Sequence, residues 1–278
     1  MNPTFVLAMI QMQVIPGDKR GNLARACRWL REARHQGATV AVLPEAFTTG
    51  WTHPSAQESA DAIPGGEAFV ALRQAARELD LYVCAGLVER HCKRIYNSAV
   101  LISPTGRLLI HHRKINELEI AHDVYALGDR LQVADTPLGR FGLMICADGF
   151  APGLAISRCL GMMGAQIILS PCAWAVSADH DQQREPYGKL WRESYAPVAR
   201  EFGLWIAGVS NVGPLTAGPW AGRRCIGCSL LLNTEGEVVL QGPYGEEAES
   251  LLLAPIKMTP RPRPWFDPTA SQPEKRRL

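Results

Sequence analysis

Short apolar and β-branched runs recur along most of the chain and predict a series of strands. Stretches with helical spacing separate several of them. In residues 21–36, Leu23 and Leu30 share one face and arginines lie opposite, and Gly37 then provides a helix stop. The predicted strands cover residues 4–12, 38–43, 81–88, 97–103, 107–112, 140–145, 166–170, 203–210, 226–232, 237–240 and 250–254. The predicted helices cover residues 21–36, 66–79, 153–163 and 184–202.

The alternation of strands and helices predicts an α/β fold in which helices cover mixed sheets. Residues 226–232 and 237–240 flank a turn at 233–236 and predict a hairpin. Because no repeat or low-complexity linker divides the sequence, residues 1–254 are interpreted as one domain. Residues 255–278 contain six prolines and are predicted to form an irregular tail that packs on the domain or on a neighbouring subunit.

Composition and charge narrow the classes of protein that this sequence fits. The chain has 278 residues and is 47% hydrophobic, which is typical of a globular protein with a substantial core. Its net charge is +2, and its only dense basic cluster is Lys275–Arg277, so binding to nucleic acid or to an acidic membrane is not expected. The apolar run from Phe5 to Ile10 lacks the flanks of a signal peptide, and the protein is predicted to be cytoplasmic.

The cysteines are expected to stay reduced, most of them as small core residues. There are eight: Cys27, Cys84, Cys92, Cys146, Cys159, Cys172, Cys225 and Cys228. Cys225 and Cys228 have the spacing of a redox or zinc pair, but no second CxxC or HxxxH partner exists, and CIGCSLLL is typical of a strand. No metal site is therefore predicted.

One cysteine stands where a predicted strand turns sharply, in the stretch FGLMICADGF at residues 141–150. A strand that ends on Cys146 and turns into Ala147 and Asp148 would present the sulfur at a sheet edge, beside free backbone N–H groups. Enzymes use this arrangement to present a nucleophile and stabilise an oxyanion. The alternative is a buried core cysteine, because cysteine is among the most buried residue types.

Two further strand ends carry groups of complementary chemistry. In VAVLPEAFTTG, Pro44 ends a strand and places Glu45 in an apolar neighbourhood, which would raise its pKa toward that of a general base. In LLIHHRKINELEI, a strand ends just before Lys114, whose side chain we expect to point inward. The alternatives are a solvated loop carboxylate and an ordinary basic strand end. Together with Cys146, the three form a combination far more specific than any one of them.

With these residues in this order, the chain resembles the nitrilase superfamily of carbon–nitrogen hydrolases, whose signature is a Glu-Lys-Cys triad. The matching blocks span nearly the whole chain: AMIQM, LPE, YNSAVLISPTGRL, HRK, LGD, TPLGRFGLMICAD, GAQIILSP and GCSLLLNTEGEVV. The resemblance implies a four-layer-forming α-β-β-α sandwich with two mixed β-sheets flanked by helices. It also implies a homodimer or larger homo-oligomer, and neither metal nor organic cofactor.

The chain departs from parts of the superfamily pattern after the nucleophile and after the lysine. True nitrilases typically follow the cysteine with Trp-Glu, whereas this chain reads Ala147-Asp148. Asp148 therefore favours the amidase and carbamoylase side over nitrile hydrolysis. Relatives also place an assisting glutamate in the loop after the lysine; Glu117 is favoured for this role, with Glu119 and Asp123 as alternatives.

The triad implies a mechanism in which Lys114 favours the thiolate of Cys146 while Glu45 takes the thiol proton during attack on a carbonyl. The Lys114 ammonium and the N–H of Ala147 would then stabilise the oxyanion. Glu45 would protonate the departing ammonia and activate water to hydrolyse the thioester. The predicted substrate is a small linear amide or N-carbamoyl compound.

Residues farther along the chain are candidates for substrate binding. Cys172 and Trp174 follow a strand at the same presumed sheet end and are predicted to line the pocket, although Trp174 could be core. Arg184, with Lys189 and Arg192 as alternatives, is a candidate to bind a substrate carboxylate; such residues are more often surface charges. Other readings of the chain are a nitrilase, a glutaminase that delivers ammonia to a partner, and a catalytically inactive scaffold of the same fold.

Overall fold

A computed structural model of the chain describes residues 3–260. The strands in this range are, in chain order, β1 (Thr4–Gln11), β2 (Val40–Val42), β3 (Tyr82–His91), β4 (Arg94–Ile102), β5 (Leu108–Arg113), β6 (Val133–Thr136), β7 (Gly139–Leu143), β8 (Ile167–Cys172), β9 (Ala175–Val176), β10 (Trp205–Ser210), β11 (Val212–Pro214), β12 (Arg224–Ile226), β13 (Leu230–Leu232), β14 (Val238–Gln241) and β15 (Ser250–Lys257). Each run of apolar residues predicted as a strand overlaps at least one of them.

The α-helices of the described range alternate with these strands. They are α1 (Lys19–His35), α2 (Ala56–Ser59), α3 (Glu67–Glu78), α4 (Ala155–Met162) and α5 (Lys189–Phe202). Short 3₁₀ turns occur at Glu119–Ala121, Cys146–Phe150 and Pro152–Leu154. Between residues 3 and 260, none of the helices is both long and apolar enough to cross a lipid bilayer.

Two six-stranded sheets pack face to face and form the centre of the molecule. The first has the order β15-β1-β2-β3-β4-β5 and the second the order β14-β13-β10-β8-β7-β6, and each combines parallel and antiparallel pairs. Helices α1 and α3 pack on the outer face of the first sheet, and α4 and α5 on the outer face of the second. The predicted α-β-β-α sandwich with mixed sheets is confirmed. A small third sheet contains β11, β12 and β9.

Strand β1 shows how the sequence pattern separates the layers. Leu7 and Met9 pack in the core between the two sheets, whereas Ala8 and Ile10 pack in the core beneath α1 and α3. Successive side chains of a strand point to opposite faces, and here both faces are buried. The strand therefore has a continuous apolar run instead of an alternation of apolar and polar residues.

The carboxyl ends of strands from both sheets meet at one edge of the sandwich. The backbone N–H of Glu45, three residues after β2, donates to the carbonyl of Cys172 at the end of β8 with a distance of 3.2 Å. Gly86 in β3 permits this path, because a Cβ at that position would lie 2.5 Å from the Cα of Glu45. The residues that follow these strands are thus brought together by the topology.

The predicted tail begins later than expected. β15 continues through Pro255 to Lys257, and Ile256 is fully buried, so the first three tail residues belong to the sheet. Pro255 is tolerated because β15 is an edge strand and pairs only with β1, where Pro255 faces Val6. The tail from residue 261 onward lies outside the described residues.

One predicted strand is divided in two, and one predicted helix begins late. The apolar run 226–232 is divided between β12 and β13, because Gly227 and Cys228 have φ values of +68° and +58° that no strand can contain. The helix predicted from residue 184 begins only at Lys189, since Gly188 has a φ of +113°. The predicted hairpin is confirmed, as β13 and β14 pair in an antiparallel manner.

A buried carboxylate holds three strands of the first sheet together. Glu89 in β3 has a fully buried side chain and accepts a hydrogen bond of 2.5 Å from the Ser98 hydroxyl in β4. From β5, Arg113 donates two hydrogen bonds of 2.6 and 3.0 Å, and His111 Nε2 lies 2.8 Å away. Burial alone would raise the pKa of Glu89, but the hydrogen bonds from His111, Arg113 and Ser98 outweigh it and lower the pKa to about 2.

We expect Glu89→Gln to lower the free energy of unfolding at neutral pH by about 2–3 kcal/mol, because Arg113 and His111 lose a charged acceptor. The folded-state pKa of Glu89 lies below the value of about 4.3 typical of an exposed glutamate. Its contribution is therefore fully present above that value and is lost as the pH falls through about 2. Urea unfolding as a function of pH measures both effects. Glu78→Gln, at an exposed glutamate on α3, is the control, and equal urea midpoints for the two variants would contradict this account.

Candidate active site

Cys146 occupies a strained turn between β7 and α4. β7 ends at Leu143, three residues before the cysteine, so the strand is shorter than predicted, and Cys146 opens the 3₁₀ turn Cys146–Phe150. Its φ of +43° lies in the left-handed region, which costs a residue with a Cβ about 1–3 kcal/mol. Backbone strain of this kind is concentrated at functional sites. The side chain is only partly buried and faces a cavity.

Asp148 connects the turn that carries Cys146 to the loop that carries Lys114. One carboxylate oxygen accepts a hydrogen bond of 2.9 Å from the N–H of Ile145 and lies 2.8 Å from His112 Nε2. The other oxygen accepts hydrogen bonds of 3.1 and 2.8 Å from the N–H groups of Ile115 and Asn116. Burial alone would raise the pKa of Asp148, but the His112 hydrogen bond and the backbone N–H groups lower it. Asp148 is therefore ionised and links the two loops through its hydrogen bonds.

Lys114 lies between two carboxylates in the interior. Its ammonium donates hydrogen bonds of 2.8 Å to Glu45 Oε1 and of 2.8 Å to Glu117 Oε1. The amide nitrogen of Asn97 donates to both carboxylates as well, at 2.6 Å to Glu45 and 2.9 Å to Glu117. The side chains of Lys114, Glu45 and Glu117 are each at most 2% exposed. The structure therefore brings three charged groups and one amide into a closed hydrogen-bonded cluster.

Such a cluster is costly to bury and is weak support for stability alone. Burial lowers the pKa of Lys114, but the charges of Glu45 and Glu117 outweigh it and raise the pKa well above its ordinary value. Lys114 is consequently an ammonium at neutral pH. Burial raises the pKa of Glu45, and Lys114 opposes the rise without cancelling it. A carboxylate with a raised pKa beside a fixed positive charge is suited to accept and return a proton.

The surroundings of Cys146 together favour the protonated thiol, although the charge of Lys114 acts in the expected direction, toward the thiolate. Burial, a hydrogen bond with the Cys172 thiol and the charge of Glu45 raise its pKa well above the ordinary value, and the opposing effect of Lys114 is smaller. The thiol must therefore lose its proton to a nearby base when it reacts, and Glu45 is the ionisable neighbour with a raised pKa.

Among the three acids considered after Lys114, Glu117 alone enters this cluster. Glu119 and Asp123 are exposed on the surface around the short 3₁₀ turn. The Glu117 carboxylate is also positioned by its own loop, because the N–H of Leu118 donates to Glu117 Oε1 at 3.0 Å. The local reason is the turn after β5, which directs Glu117 back toward Lys114 three residues earlier.

A cavity of about 140 Å³ opens between Cys146 and the charged cluster. Its walls are mainly aromatic. The indoles of Trp174 and Trp191 stack with centroids 4.6 Å apart, and those of Trp51 and Trp220 lie 4.8 Å apart. The lining residues are Glu45, Trp51, Lys114, Leu118, Cys146, Ala147, Phe150, Ala173, Trp174, Ala175, Tyr187, Leu190, Trp191 and Trp220.

The predicted binding residues have different positions relative to this cavity. Ala147 and Trp174 line it. Cys172 is fully buried beside Cys146 at the end of β8, where its thiol donates to the carbonyl of Ser170 at 3.1 Å. Arg184 is separate from the cavity: it lines another surface depression, and its backbone N–H donates to Asp181 Oδ1 at 3.2 Å in an exposed turn before α5.

The alternative cations on α5 are also engaged outside the cavity. Lys189 pairs with Glu193 at 3.9 Å on the helix surface, and Arg192 donates to the side-chain oxygen of Gln241 at 2.8 Å. The expectation that one of these three basic residues contacts a bound substrate is thus not supported by their positions. Helix α5 turns Lys189 toward solvent and Arg192 toward β14.

Several residues of the site were missed by the sequence reasoning. Asn97 interrupts the apolar strand β4 with a polar group, a signal that could have been used. Trp51 follows Glu45 by only six residues in an irregular segment and could have been considered. Trp191 and Trp220 come from α5 and from a loop far along the chain, and no local pattern places them here.

Cys225 and Cys228, the pair with zinc-like spacing, are both buried on either side of the β12–β13 turn. Within residues 3–260, no group of three or more His, Cys, Asp or Glu side chains is arranged to hold a metal ion. Burial raises the pKa of Cys225 to about 12 and that of Cys228 to about 11. Both are therefore buried core thiols whose pKa values are raised by desolvation.

The chain is similar in sequence to one protein family and to individual proteins within it. The family model for carbon–nitrogen hydrolases matches residues 6–259. The omega-amidase NIT2 of Bos taurus is 34% identical over 182 residues, and the match covers 62% of this chain and 64% of that protein. A nitrilase of Pyrococcus abyssi is 32% identical over 247 residues, which cover 87% of this chain and 86% of the nitrilase. The match thus spans less than two thirds of the omega-amidase.

Solved structures show the same fold. The carbon–nitrogen hydrolase from Helicobacter pylori G27 superposes with a TM-score of 0.81 at 20% identity and covers 92% of this chain and 90% of its own. An amidase from Nesterenkonia sp. superposes with a TM-score of 0.76 at 20% identity, covering 92% of each chain.

The electrostatics of the site predict how Cys146 reacts with a small neutral thiol reagent, methyl methanethiosulfonate. The pH midpoint of its modification should lie above the ordinary thiol value of 9.0, and Glu45→Gln should lower that midpoint because a raising charge is removed. Peptide mapping by mass spectrometry follows each cysteine separately. The exposed Cys159 on α4 serves as an internal control that Glu45→Gln should leave unchanged. A wild-type midpoint below 9.0, or a rise in the variant, would be inconsistent with the electrostatics described.

Proposed function

The chain belongs to the carbon–nitrogen hydrolase family, and we propose that it cleaves the C–N bond of a small linear amide or N-carbamoyl compound through a thioester on Cys146, releasing ammonia. The observation that carries this proposal is the buried cluster of Glu45, Lys114 and Glu117 beside a strained cysteine at one cavity. The relatives named omega-amidase and amidase support the same chemistry.

In the proposed first half-reaction, Glu45 accepts the thiol proton as the sulfur of Cys146 attacks the carbonyl carbon. The oxyanion is stabilised by the Lys114 ammonium and by the backbone N–H of Ala147, with about 3–4 kcal/mol for each preorganised donor. Protonated Glu45 then donates to the departing nitrogen, and ammonia leaves a thioester behind. The thiol proton thus passes through Glu45 to the nitrogen and leaves with the ammonia, as the C–N bond breaks and the C–S bond remains.

In the second half-reaction, Glu45 takes a proton from water, which attacks the thioester. The C–S bond then breaks, the acid is released, and Glu45 returns the proton to the Cys146 thiolate. Glu117 assists without exchanging protons with the substrate. It accepts a hydrogen bond from Lys114 at 2.8 Å and adds negative charge that keeps Lys114 protonated. Asn97 holds both carboxylates in place. One carboxylate thus serves both half-reactions while the other fixes the cation.

Nitrile hydrolysis is the second candidate, favoured by the Pyrococcus abyssi nitrilase that matches 87% of this chain. The same thiol would attack the nitrile carbon. An inactive scaffold is the third, and the unbroken hydrogen-bonded cluster argues against it because burying such charges without use is costly.

We also propose that the protein is a cytoplasmic homodimer. All eight cysteines are unpaired, which suits a reducing compartment.

Met162 at the end of α4 is 60% exposed, and the outer face of this helix is therefore a candidate for a subunit contact. Light scattering in solution measures the mass directly.

Cys146→Ala should reduce ammonia release at least about 10⁴-fold, because removing the nucleophile leaves only binding and oxyanion stabilisation. The measurement is a screen of short amides, ureido acids, glutamine analogues and nitriles, with Cys146→Ala as the blank. Cys159→Ala, at an exposed thiol away from the cavity, should keep the wild-type rate. A wild-type enzyme that releases no more ammonia than the blank from any class would refute the hydrolase proposal.

The acid limb of the pH profile should report Glu45. Protonation of Glu45 removes the base, so kcat/KM should fall as the pH decreases through its pKa, at a midpoint above the ordinary value of 4.5. Glu117→Gln should shift that midpoint downward, because the charge of Glu117 raises the pKa of Glu45. The profile is measured on the residual activity of the variant. If Glu117→Gln moved the midpoint upward, a group other than Glu45 would control the acid limb.

A further inference from the structure

We infer that the substrate of this site carries a small, uncharged, apolar acyl group, and that amides with a carboxylate at their far end are selected against. This inference rests on the proposed function and narrows it. It arises from the walls of the cavity, from the charges around Lys114 and from the positions of the nearby arginines.

The cavity offers aromatic surface rather than polar partners to the part of a substrate beyond its amide. Trp174 and Trp191 form a stacked pair with centroids 4.6 Å apart, and both are at most 4% exposed. Trp51 and Trp220 form a second, tilted pair at 4.8 Å. Lys114 Nζ lies 5.8 Å from the centre of the Trp51 ring, so this second pair adjoins the charged cluster. An acyl group bound to Cys146 therefore faces a cavity that these indoles line.

A carboxylate would find no free positive charge there. Among the described residues that line the cavity, the charged ones are Glu45 and Lys114. The Lys114 ammonium already donates to the carboxylates of Glu45 and Glu117 at 2.8 Å each. A substrate carboxylate would bring a third negative group to a single cation. Taking an unpaired carboxylate out of water is strongly unfavourable.

The nearby arginines are not among the residues that line the cavity. Arg223 is the one that contacts a cavity wall, and its guanidinium lies over the ring of Trp220, 4.5 Å from the ring centre. Arg192 donates to Gln241, and Arg184 belongs to a separate surface depression. None of the three is among the lining residues. Arg223 is therefore the cation whose role must be tested.

The size of the cavity bounds the acyl group. Its volume is about 140 Å³, and an apolar protein cavity of about 150 Å³ is known to accommodate a benzene molecule. The fitting substrates are thus short branched aliphatic amides and simple aromatic amides. Stacking on indole faces favours flat or branched apolar groups.

The test compares two amides of matched shape, 4-methylpentanamide and succinamate, in which an isopropyl end replaces a carboxylate end. We expect kcat/KM to be at least about a hundredfold higher for 4-methylpentanamide, since the carboxylate must be buried unpaired. Calorimetric titration of both ligands into the Cys146→Ala variant should give the same order of affinity. Equal values, or a preference for succinamate in either measurement, would overturn the inference.

Two variants test whether the lack of a cation in the cavity causes the selection against a carboxylate. Leu190→Arg places a cation at a lining position that is 50% exposed and should raise kcat/KM for succinamate at least about tenfold, whereas Leu190→Met is the uncharged control. Arg223→Leu should leave the ratio between the two amides unchanged. A selective loss of succinamate hydrolysis in Arg223→Leu would instead assign Arg223 to carboxylate binding and overturn the inference.

The outcomes separate this inference from the proposed function. If the enzyme hydrolyses amides but prefers succinamate, the hydrolase proposal stands and the substrate class is wrong. If neither amide is hydrolysed, the titrations into Cys146→Ala still decide between the two acyl groups. Absence of binding by 4-methylpentanamide in that titration would count against the inference directly.

Discussion

The site depends on one buried ammonium. Lys114 emerges from the end of β5, its carboxylate partners come from the segment after β2 and from its own loop, and Asn97 joins both from β4. Burying these charges would be unfavourable if any partner were removed, because an unpaired charge would remain in the interior. The cluster therefore fixes the relative positions of three chain segments as well as the protonation of Lys114.

The nucleophile is held against this cluster by a second constraint. Asp148 joins Ile145 on one side of Cys146 to Ile115 and Asn116 after Lys114, so the two loops cannot move independently. The left-handed φ of Cys146 is maintained by these contacts. A neutral thiol, a base with a raised pKa and a permanent cation can then occupy neighbouring positions. Because these groups differ in charge, the thiol can serve as the nucleophile, Glu45 as the base and Lys114 as the fixed positive charge.

Much of this arrangement could be predicted from the sequence because its parts stand at strand ends. Glu45, Lys114 and Cys146 each follow an apolar run, and the topology of an α/β sandwich brings such positions to one edge. Glu117 was favoured by its place in the loop. That burial and the charge of Glu45 outweigh Lys114 and raise the pKa of Cys146 could not be predicted, because both effects depend on the tertiary structure.

What could not be predicted comes from tertiary contacts between distant segments. Trp191 reaches the cavity only after α5 packs on the second sheet, and Trp220 only after the loop before β12 packs against Trp51. Arg184 lines a separate surface depression. The most direct test of the central claim, that Cys146 beside the Lys114 cluster is the nucleophile, is an acid-quenched mass measurement during the approach to steady state with a hydrolysed amide. The account predicts one acyl group on the peptide that contains Cys146. An acyl group on another side chain, or turnover with Cys146 unmodified throughout, would contradict it.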